Sequence, residues 1–289
     1  MSPFSLAVAK IELLYAGTTL AENGPATLGG VGTGFFYKVG ETVVFITNWH
    51  NVTGLDAVSL KPLHSRGLLP DTLRIHYKIL VDAAAKLIGS NCVELNLYQQ
   101  NEPVWYEHSN RNAVDVVALP LDVTQFPACA NICINEIRQE PRLKVEAGMD
   151  CFILGFPEGL VGAGNTPIWK RGMIASEPQG NQPYHIDGAT RKGMSGAPVI
   201  AQHNGLFTPK SGYLTGDSVI GTVQKFIAVY SGRVGDDALG FQLGTAWRAE
   251  VIEEILAAKL PGRHPVDFPR RGANSDNAAA LSHAASGRS

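Results

Sequence analysis

The chain has 289 residues, of which 45% are hydrophobic and 17% charged, and its formal net charge is −2. That length is enough to bury a large core, and so small a charge gives no reason to expect a nucleic-acid partner or an anionic membrane surface. No apolar run approaches the length that crosses a bilayer, and Lys10 and Glu12 interrupt the segment where a secretory signal would lie. We therefore expect a cytoplasmic protein that binds neither nucleic acid nor membrane.

Cysteine is sparse, and the spacing of the thiols does not suggest a metal site. The chain contains Cys92, Cys129, Cys133 and Cys151. So few cysteines suit reduced thiols in a cytosolic protein better than a disulfide framework. Cys129 and Cys133 are four positions apart, but no second pair at zinc-ligand spacing accompanies them. We predict no metal and no cofactor.

In chain order, most predicted elements are short β-strands separated by glycine and proline. A hairpin is predicted from two strand-like segments, 32–39 and 42–49, which flank Gly40-Glu41. Further strands are predicted at 73–80, 92–98, 114–119, 149–154, 168–176, 197–201, 218–223 and 226–230. Many short strands with frequent turns favour an all-β sandwich or barrel over βαβ units. The segment 60–112 has the weakest periodicity and is interpreted as a long insertion between strands.

One helix and a tail complete the chain. In residues 245–260, Trp247, Val251, Ile255 and Ala258 recur at helical spacing, with Thr245 as N-cap and Pro261-Gly262 as the end. Residues 261–289 contain few large apolar side chains and predict a disordered tail. The predicted domain therefore spans residues 1–260.

Three stretches together suit nucleophilic catalysis. FITNWHNV (45–52) delivers His50 at the end of an apolar strand, and NAVDVVALPL (112–121) begins an apolar strand with Asp115. TRKGMSGAPVI (190–200) holds Ser195 in a turn between two glycines. A serine hydroxyl is a poor nucleophile until a base accepts its proton, and that imidazole needs an acid to orient it. Each stretch alone has an ordinary structural explanation, but the conjunction of all three predicts a catalytic triad.

In these stretches the chain resembles the chymotrypsin-type (trypsin-like) serine peptidases, and more closely the bacterial branch that includes the HtrA-like proteases. FITNWHNV, DVVALPL and DGATRKGMSGAPVI are similar to the family's segments around its histidine, aspartate and serine. ILGFP (153–157) and KRGMIAS (170–176) are also similar. The resemblance covers about residues 10–245 and implies two antiparallel β-barrels, at roughly 1–130 and 131–244, with the triad between them. No PDZ domain is expected to follow.

The departures from the family bear on activation. Asn51 stands where the secreted digestive enzymes have a disulfide cysteine, and Met194 stands where they have the aspartate that pairs with a new N-terminus. These differences argue against zymogen cleavage. Ala197 replaces a common glycine after the serine.

The resemblance implies a role for each candidate site residue. Ser195 is the nucleophile, His50 the general base and acid, and Asp115 its orienting partner. The N–H groups of Gly193 and Ser195 form the oxyanion hole. The residues expected to bind a protein or peptide substrate are Ala189, Thr190, Lys192, Tyr230, Ser231, Gly232 and Arg233.

The residues also bear on substrate choice. Ala189 stands where trypsin has its acid, so the sequence predicts a small or apolar P1 residue, with Lys192 or Arg233 offering the alternative of an acidic one. The resemblance leaves open an activating partner protein.

Two other functions fit parts of the sequence. GMSGA nearly matches the nucleophile elbow of the α/β-hydrolases, but Ala197 breaks the motif and the order His, Asp, Ser is not theirs. The other is a catalytically silent or latent protease fold that serves as a binding module. Covalent labelling of Ser195 distinguishes this binding module from a peptidase.

Overall fold

The computed structural model describes residues 1–15, 27–82, 87–110, 113–122, 124, 126, 132–177, 179–209, 213–234 and 242–268. Its strands are β1 (Val8–Tyr15), β2 (Thr27–Val39), β3 (Thr42–Thr47), β4 (Thr72–Asp82), β5 (Leu87–Asn96), β6 (Tyr98–Gln99), β7 (Glu102–Pro103), β8 (Tyr106–Glu107), β9 (Val117–Pro120), β10 (Asp150–Gly155), β11 (Ile168–Ile174), β12 (Tyr184–Asp187), β13 (Pro198–Phe207), β14 (Val219–Arg233), β15 (Leu243–Arg248) and β16 (Leu260–Pro261). The α-helices are α1 (Pro3–Ala7), α2 (Trp49–Thr53) and α3 (Glu250–Ala258). No helix within these ranges is long and apolar enough to cross a membrane.

The first structural unit is an eight-stranded antiparallel sheet in the order β16-β8-β9-β3-β2-β1-β4-β5. The predicted hairpin at Gly40 joins β2 to β3, and the φ of +57° at this glycine is a left-handed conformation that glycine adopts without strain. Thr47 of β3 lies opposite Val117 of β9. The residues just after β3 and just before β9 are therefore neighbours at one edge of the sheet.

The second unit is a closed six-stranded barrel in the order β10-β11-β12-β15-β14-β13. Its longest ladder joins β13 to β14, with Pro198 opposite Val229. The turn that carries Ser195 leads directly into this ladder. Two antiparallel β units confirm the all-β, chymotrypsin-like fold class that the resemblance implies. Of the two barrels expected, the second is closed, whereas the described residues of the first form a sheet with β16 and β5 at its edges.

A shared hydrophobic core joins the two units. Phe35 and Ile46 from the first sheet pack in one cluster with Ile200 and Val229 from the barrel, and Ile255 of α3 packs against both. Each unit also has its own apolar interior. Because the common cluster is continuous, the edge that carries His50 and Asp115 is held against the turn that carries Ser195.

The prediction of a helix over 245–260 is wrong at its N-terminal end. Residues 243–248 form β15, in which Thr245 pairs with both His185 and Gly232 and so closes the barrel. The helix begins at Glu250, and its buried face carries Val251, Ile252, Ile255 and Leu256. Strand pairing on both sides of β15 outweighs the helical spacing of its apolar residues.

The prediction of a disordered tail from residue 261 is also wrong for its first part. Pro261 belongs to β16 and pairs with Tyr106 of β8. Phe268 is buried and packs edge-on against Trp49 at a ring-centroid distance of 5.4 Å. The rest of the predicted tail, 269–289, lies outside the described residues. The segment 60–112, where periodicity was weakest, contains the long β4–β5 hairpin.

Candidate active site

Three local elements bring the predicted triad to one cleft. His50 lies in the short helix α2 directly after β3, and Asp115 lies just before β9. Ser195 lies in the turn before β13. All three side chains line a cavity of about 290 Å³ between the two β units.

His50 and Asp115 form two hydrogen bonds with each other. His50 Nδ1 lies 2.7 Å from Asp115 Oδ2, and the backbone N–H of His50 donates to Asp115 Oδ1 at 2.9 Å. Because a carboxylate only accepts hydrogen bonds, Nδ1 carries a proton and Nε2 is left as the free base. The amide of Asn48 also donates to the carbonyl oxygen of Asp115 at 2.6 Å. This geometry fixes both the position and the tautomer of the imidazole.

The surroundings of His50 favour its charged form. Burial alone would lower the pKa of His50, but the charge of Asp115, its hydrogen bond and the more distant charge of Asp56 outweigh burial. The pKa of His50 is therefore raised above its ordinary value. The acid beside it is 4% exposed, so this interaction is only weakly screened by solvent.

Ser231 connects the acid to the nucleophile. Its hydroxyl donates to Asp115 Oδ2, and its carbonyl oxygen accepts a hydrogen bond from Ser195 Oγ at 3.1 Å. Within the described part of the chain, Ser195 Oγ makes this bond and none to His50. The hydroxyl must therefore rotate before its proton can pass to the imidazole.

The turn before Ser195 presents two free N–H groups. The carbonyl oxygen of Lys192 accepts a hydrogen bond from the N–H of Glu158 at 2.7 Å, and a trans peptide directs the N–H of Gly193 to the opposite side. Neither Gly193 nor Ser195 donates its N–H to an acceptor in the described ranges. Two such N–H groups can bind an oxyanion.

Position 193 requires glycine for two reasons. Its φ of +89° is left-handed, and a Cβ there would lie 2.3 Å from the carbonyl oxygen of Phe156. That distance is far inside van der Waals contact. Any larger residue would therefore displace the Gly193 N–H.

Three residues of the first unit hold the serine turn in place: Thr33 of β2, Thr47 of β3 and Asn51 of α2, which we call the turn clamp. The N–H of Thr33 donates to the Ser195 carbonyl at 2.8 Å, and the amide of Asn51 donates to the same oxygen at 3.2 Å. Thr33 Oγ1 donates to the carbonyl of Gly193 at 2.7 Å, and Thr47 Oγ1 donates to the carbonyl of Thr33 at 2.7 Å. Sequence reasoning missed these roles, although Asn51 stood out by replacing the family's cysteine.

The predicted substrate-binding residues separate into two groups. Ser231, Gly232 and Arg233 line the cleft with the triad. Thr190 and Tyr230 are buried, and their hydroxyl oxygens lie 2.5 Å apart. Ala189 is half-buried and Lys192 exposed, and neither lines the cavity. Cleft residues that sequence reasoning did not assign to the site are Asp56, Ala57, Val58, Leu63, Ala113, Thr245 and Trp247.

Comparison with known proteins finds likenesses at the level of structure. No protein-family model and no curated protein matches the chain. It is similar to a solved structure of Rv3671c from M. tuberculosis H37Rv, a serine-to-alanine mutant in an inactive form, at 17% identity and a TM-score of 0.46, over 88% of this chain and 87% of that one. A structure of the Rv3671c protease, inactive form, matches at 16% identity and a TM-score of 0.44, over 88% and 89% of the two chains. At such identity and TM-score, neither likeness supports a function. The strand order and the site geometry carry the interpretation.

Proposed function

We propose that the chain is a serine endopeptidase that cleaves peptide bonds in protein substrates through an acyl-enzyme. The observation that supports this most directly is the doubly hydrogen-bonded His50–Asp115 pair in one cleft with Ser195. An imidazole with its tautomer fixed by a buried carboxylate is what a serine hydroxyl needs as its base. The N–H groups of Gly193 and Ser195, which meet no acceptor among the described residues, supply the matching site for negative charge.

The proposed mechanism starts with a rotation of the Ser195 hydroxyl from the Ser231 carbonyl toward His50 Nε2. His50 takes the proton as Ser195 Oγ forms a bond to the scissile carbonyl carbon, and the oxygen of that carbonyl becomes an oxyanion bound by Gly193 and Ser195 N–H. His50 then gives the proton to the leaving amine. Water repeats the sequence on the acyl-enzyme, which releases the carboxylic acid product and restores Ser195.

Burial of Thr190 and Tyr230 supports the preference for a small or apolar P1 side chain. The tyrosine ring lies so close to Gly244 that a Cβ there would be 2.4 Å from a ring carbon. The N–H of Gly196, the residue after Ser195, donates to the Tyr230 carbonyl at 2.8 Å, so Tyr230 lies beside the serine turn. On this proposal Ser231, Gly232 and Arg233 contact the substrate backbone. Ala189 and Lys192 do not contact the P1 residue directly.

The proposal extends to location and control. Cys151 is a buried free thiol, which suits a reducing cytoplasm. A peptidase at work there needs strict substrate choice or an activating partner protein. The hydrogen bond from Ser195 to Ser231 supports control of this kind, since it holds the nucleophile away from its base.

The same hydrogen bond favours a second candidate function, a latent protease fold that binds proteins without cutting them. In that case the hydroxyl would stay on the Ser231 carbonyl when a peptide enters the cleft. The fixed His50 tautomer favours the peptidase, because a pure binding module has no use for it.

A fluorophosphonate probe separates the two candidates. The peptidase becomes labelled at Ser195, the label is lost in Ser195→Ala, and it persists in Ser176→Ala, which alters a serine of the barrel that lies outside the cleft. Hydrolysis of a casein mixture should follow the same pattern. If wild type stays unlabelled with and without added peptides, while calorimetry shows that it binds them, the binding module is correct.

A further inference from the structure

A second cavity, of about 440 Å³, lies between one face of the first sheet and the segment 156–165, which we call the roof segment. It shares no lining residue with the catalytic cleft. Its lining includes polar side chains from β1, β4 and β5 and apolar ones from the roof segment: Lys10, His76, Lys78, Ser90, Phe156 and Val161.

Strand alternation produces a polar face at this place. In β4, Leu73, Ile75 and Tyr77 are buried in the core, and His76 and Lys78 point to the opposite face. His76 lies opposite Lys10 and Cys92, and Lys78 lies opposite Ser90. Such a face normally contacts water, but here the roof segment covers it, and Lys78 donates a hydrogen bond to the carbonyl of Gly164. Lys78 is consequently only 6% exposed.

The other charges on this face already have partners. Glu12 lies 2.8 Å from Lys10 and 3.2 Å from His76, and it also pairs with Arg74. Burial alone would raise the pKa of Glu12, but hydrogen bonds and charges from Lys10 and His76 outweigh it and lower the pKa to about 2. Glu12 is therefore ionised and committed to these three residues.

Lys78 lacks a counter-charge. Its ammonium group donates to two neutral oxygens, Ser90 Oγ at 2.6 Å and the Gly164 carbonyl. Among the residues that the structure describes, no carboxylate lies within ion-pair distance of it. Burial lowers the pKa of Lys78. A buried cation bound only to neutral groups is costly, and an anion next to it removes that cost.

We propose that this cavity binds a ligand with a single carboxylate on a small apolar body. The carboxylate accepts a hydrogen bond from Lys78, and the apolar part packs against Phe156 and Val161. A cavity of this size lies in the lower part of the range for small-molecule sites. The single ammonium group of Lys78, which donates to two neutral oxygens, matches the single charge of one carboxylate. A free small acid and the C-terminus of a peptide both carry this chemistry.

The position of the roof segment connects this cavity to the cleft, a consequence that rests on the proposed peptidase function. Glu158, within the segment, holds the Lys192 carbonyl that sets the direction of the Gly193 N–H. A ligand that packs against Phe156 therefore changes the rate of hydrolysis as well as occupying the cavity.

Binding is tested by calorimetry on wild type and on Ser195→Ala, so that the result does not depend on catalysis. The probes are isovalerate and the dipeptide acetyl-Ala-Val, and their neutral amides serve as controls. We expect saturable binding of at least one carboxylate at millimolar concentrations or below, and none of the amides. Isovalerate binding alone indicates a free acid, and tighter binding of the dipeptide indicates a peptide C-terminus.

Lys78→Met should weaken carboxylate binding by about tenfold or more, as expected for loss of a charged hydrogen bond. Lys144→Met removes an exposed lysine of the second unit and should leave binding unchanged. A bound carboxylate should also slow alkylation of Cys92, which lines the cavity, as measured by peptide mass spectrometry. Absence of binding by both carboxylates, or equal binding to folded Lys78→Met, would overturn the proposal. Neither outcome bears on labelling of Ser195.

Discussion

The side-chain amide of Asn51 donates a hydrogen bond to the carbonyl oxygen of Ser195 at 3.2 Å. The residue after the predicted base thus holds the predicted nucleophile across the boundary between the two β units. Thr33 also holds this turn, because its N–H donates to the same oxygen and its hydroxyl donates to the Gly193 carbonyl. The relative position of base and nucleophile depends on these bonds as much as on the core.

Asn51→Ala should lower kcat by about tenfold or more with little change in KM, because a misplaced serine turn impairs chemistry more than substrate binding. Stability should fall by about 1–3 kcal/mol, because the Asn51 amide also donates a hydrogen bond to Thr47 Oγ1 at 3.0 Å and the substitution removes both bonds. Steady-state kinetics and urea unfolding measure the two effects. Asn135→Ala is a matched control, since Asn135 also clamps backbone, at Lys38, but far from the cleft. Equal kcat loss in both variants would contradict a role for Asn51 in positioning.

The pH dependence of kcat/KM should reflect the raised pKa of His50. The base must be neutral, so the acid limb should have its midpoint above the ordinary pKa of histidine. Asp56→Asn should shift this midpoint to lower pH, because it removes one of the charges that favour protonated His50. Asp122→Asn, at an exposed carboxylate in another loop, should not shift it. An unchanged midpoint in Asp56→Asn would show that Asp56 has no electrostatic influence on the base.

The same raised pKa has a consequence for stability. Folding favours the protonated form of His50, so its contribution is fully present below the ordinary pKa of histidine and is lost as the pH rises through the raised value. Wild type should therefore be more stable than His50→Gln by a larger margin at low pH. This difference in unfolding free energy should become smaller as the pH rises through this window. Urea unfolding at a series of pH values measures that difference. A difference that stays constant would contradict the pKa direction.

Gly193→Ala should reduce kcat by about 100- to 1,000-fold, the usual effect of losing one oxyanion donor. The added Cβ would collide with the Phe156 carbonyl and displace the N–H. Gly148→Ala is a close control, because Gly148 has a φ of +86° and open space around its missing side chain. Both variants introduce similar backbone strain, so only Gly193→Ala should lose turnover beyond its loss of stability. Steady-state peptide hydrolysis measures kcat, and urea unfolding measures the loss of stability.

Thr190 and Tyr230 should behave as a coupled pair in unfolding experiments. Thr190→Val leaves the buried tyrosine hydroxyl without its partner, and Tyr230→Phe does the same to the threonine, so each should cost about 1–3 kcal/mol. The double variant removes both polar atoms and should be more stable than the sum of the single effects implies. Additive losses would show that the two hydroxyls make no effective hydrogen bond.

The sequence predicts His50, Asp115 and Ser195 as a triad because each of the three follows a local signal. His50 ends an apolar strand, Asp115 precedes another, and Ser195 lies between glycines. Their pairing was not visible in any one stretch, and the resemblance to a known family supplied it. The turn clamp could not be predicted from the sequence, because nothing near Thr33 indicates that its hydroxyl donates to the carbonyl of Gly193, 160 positions later.

The start of α3 was mispredicted for a related reason. Trp247 and Val251 have helical spacing, but Trp247 lies opposite Val229 in a barrel that closes only when β15 takes its place. Local periodicity cannot register a partner strand that is distant in sequence. The burial of Tyr230 with Thr190 was also not predicted. The resemblance placed both residues in the wall of an open substrate pocket.

The return of the chain to the first sheet after α3 has a consequence for biosynthesis. Residues of β16 pair with β8, and the N–H of Arg263 and the indole of Trp49 both donate to Glu107. Trp49, the neighbour of His50, therefore shares its hydrogen-bond acceptor Glu107 with Arg263. Arg263 is synthesised after the whole barrel. A nascent chain cannot complete the surroundings of its base until translation passes the last helix. Premature termination would thus yield a protein with all three triad residues and an unsupported histidine.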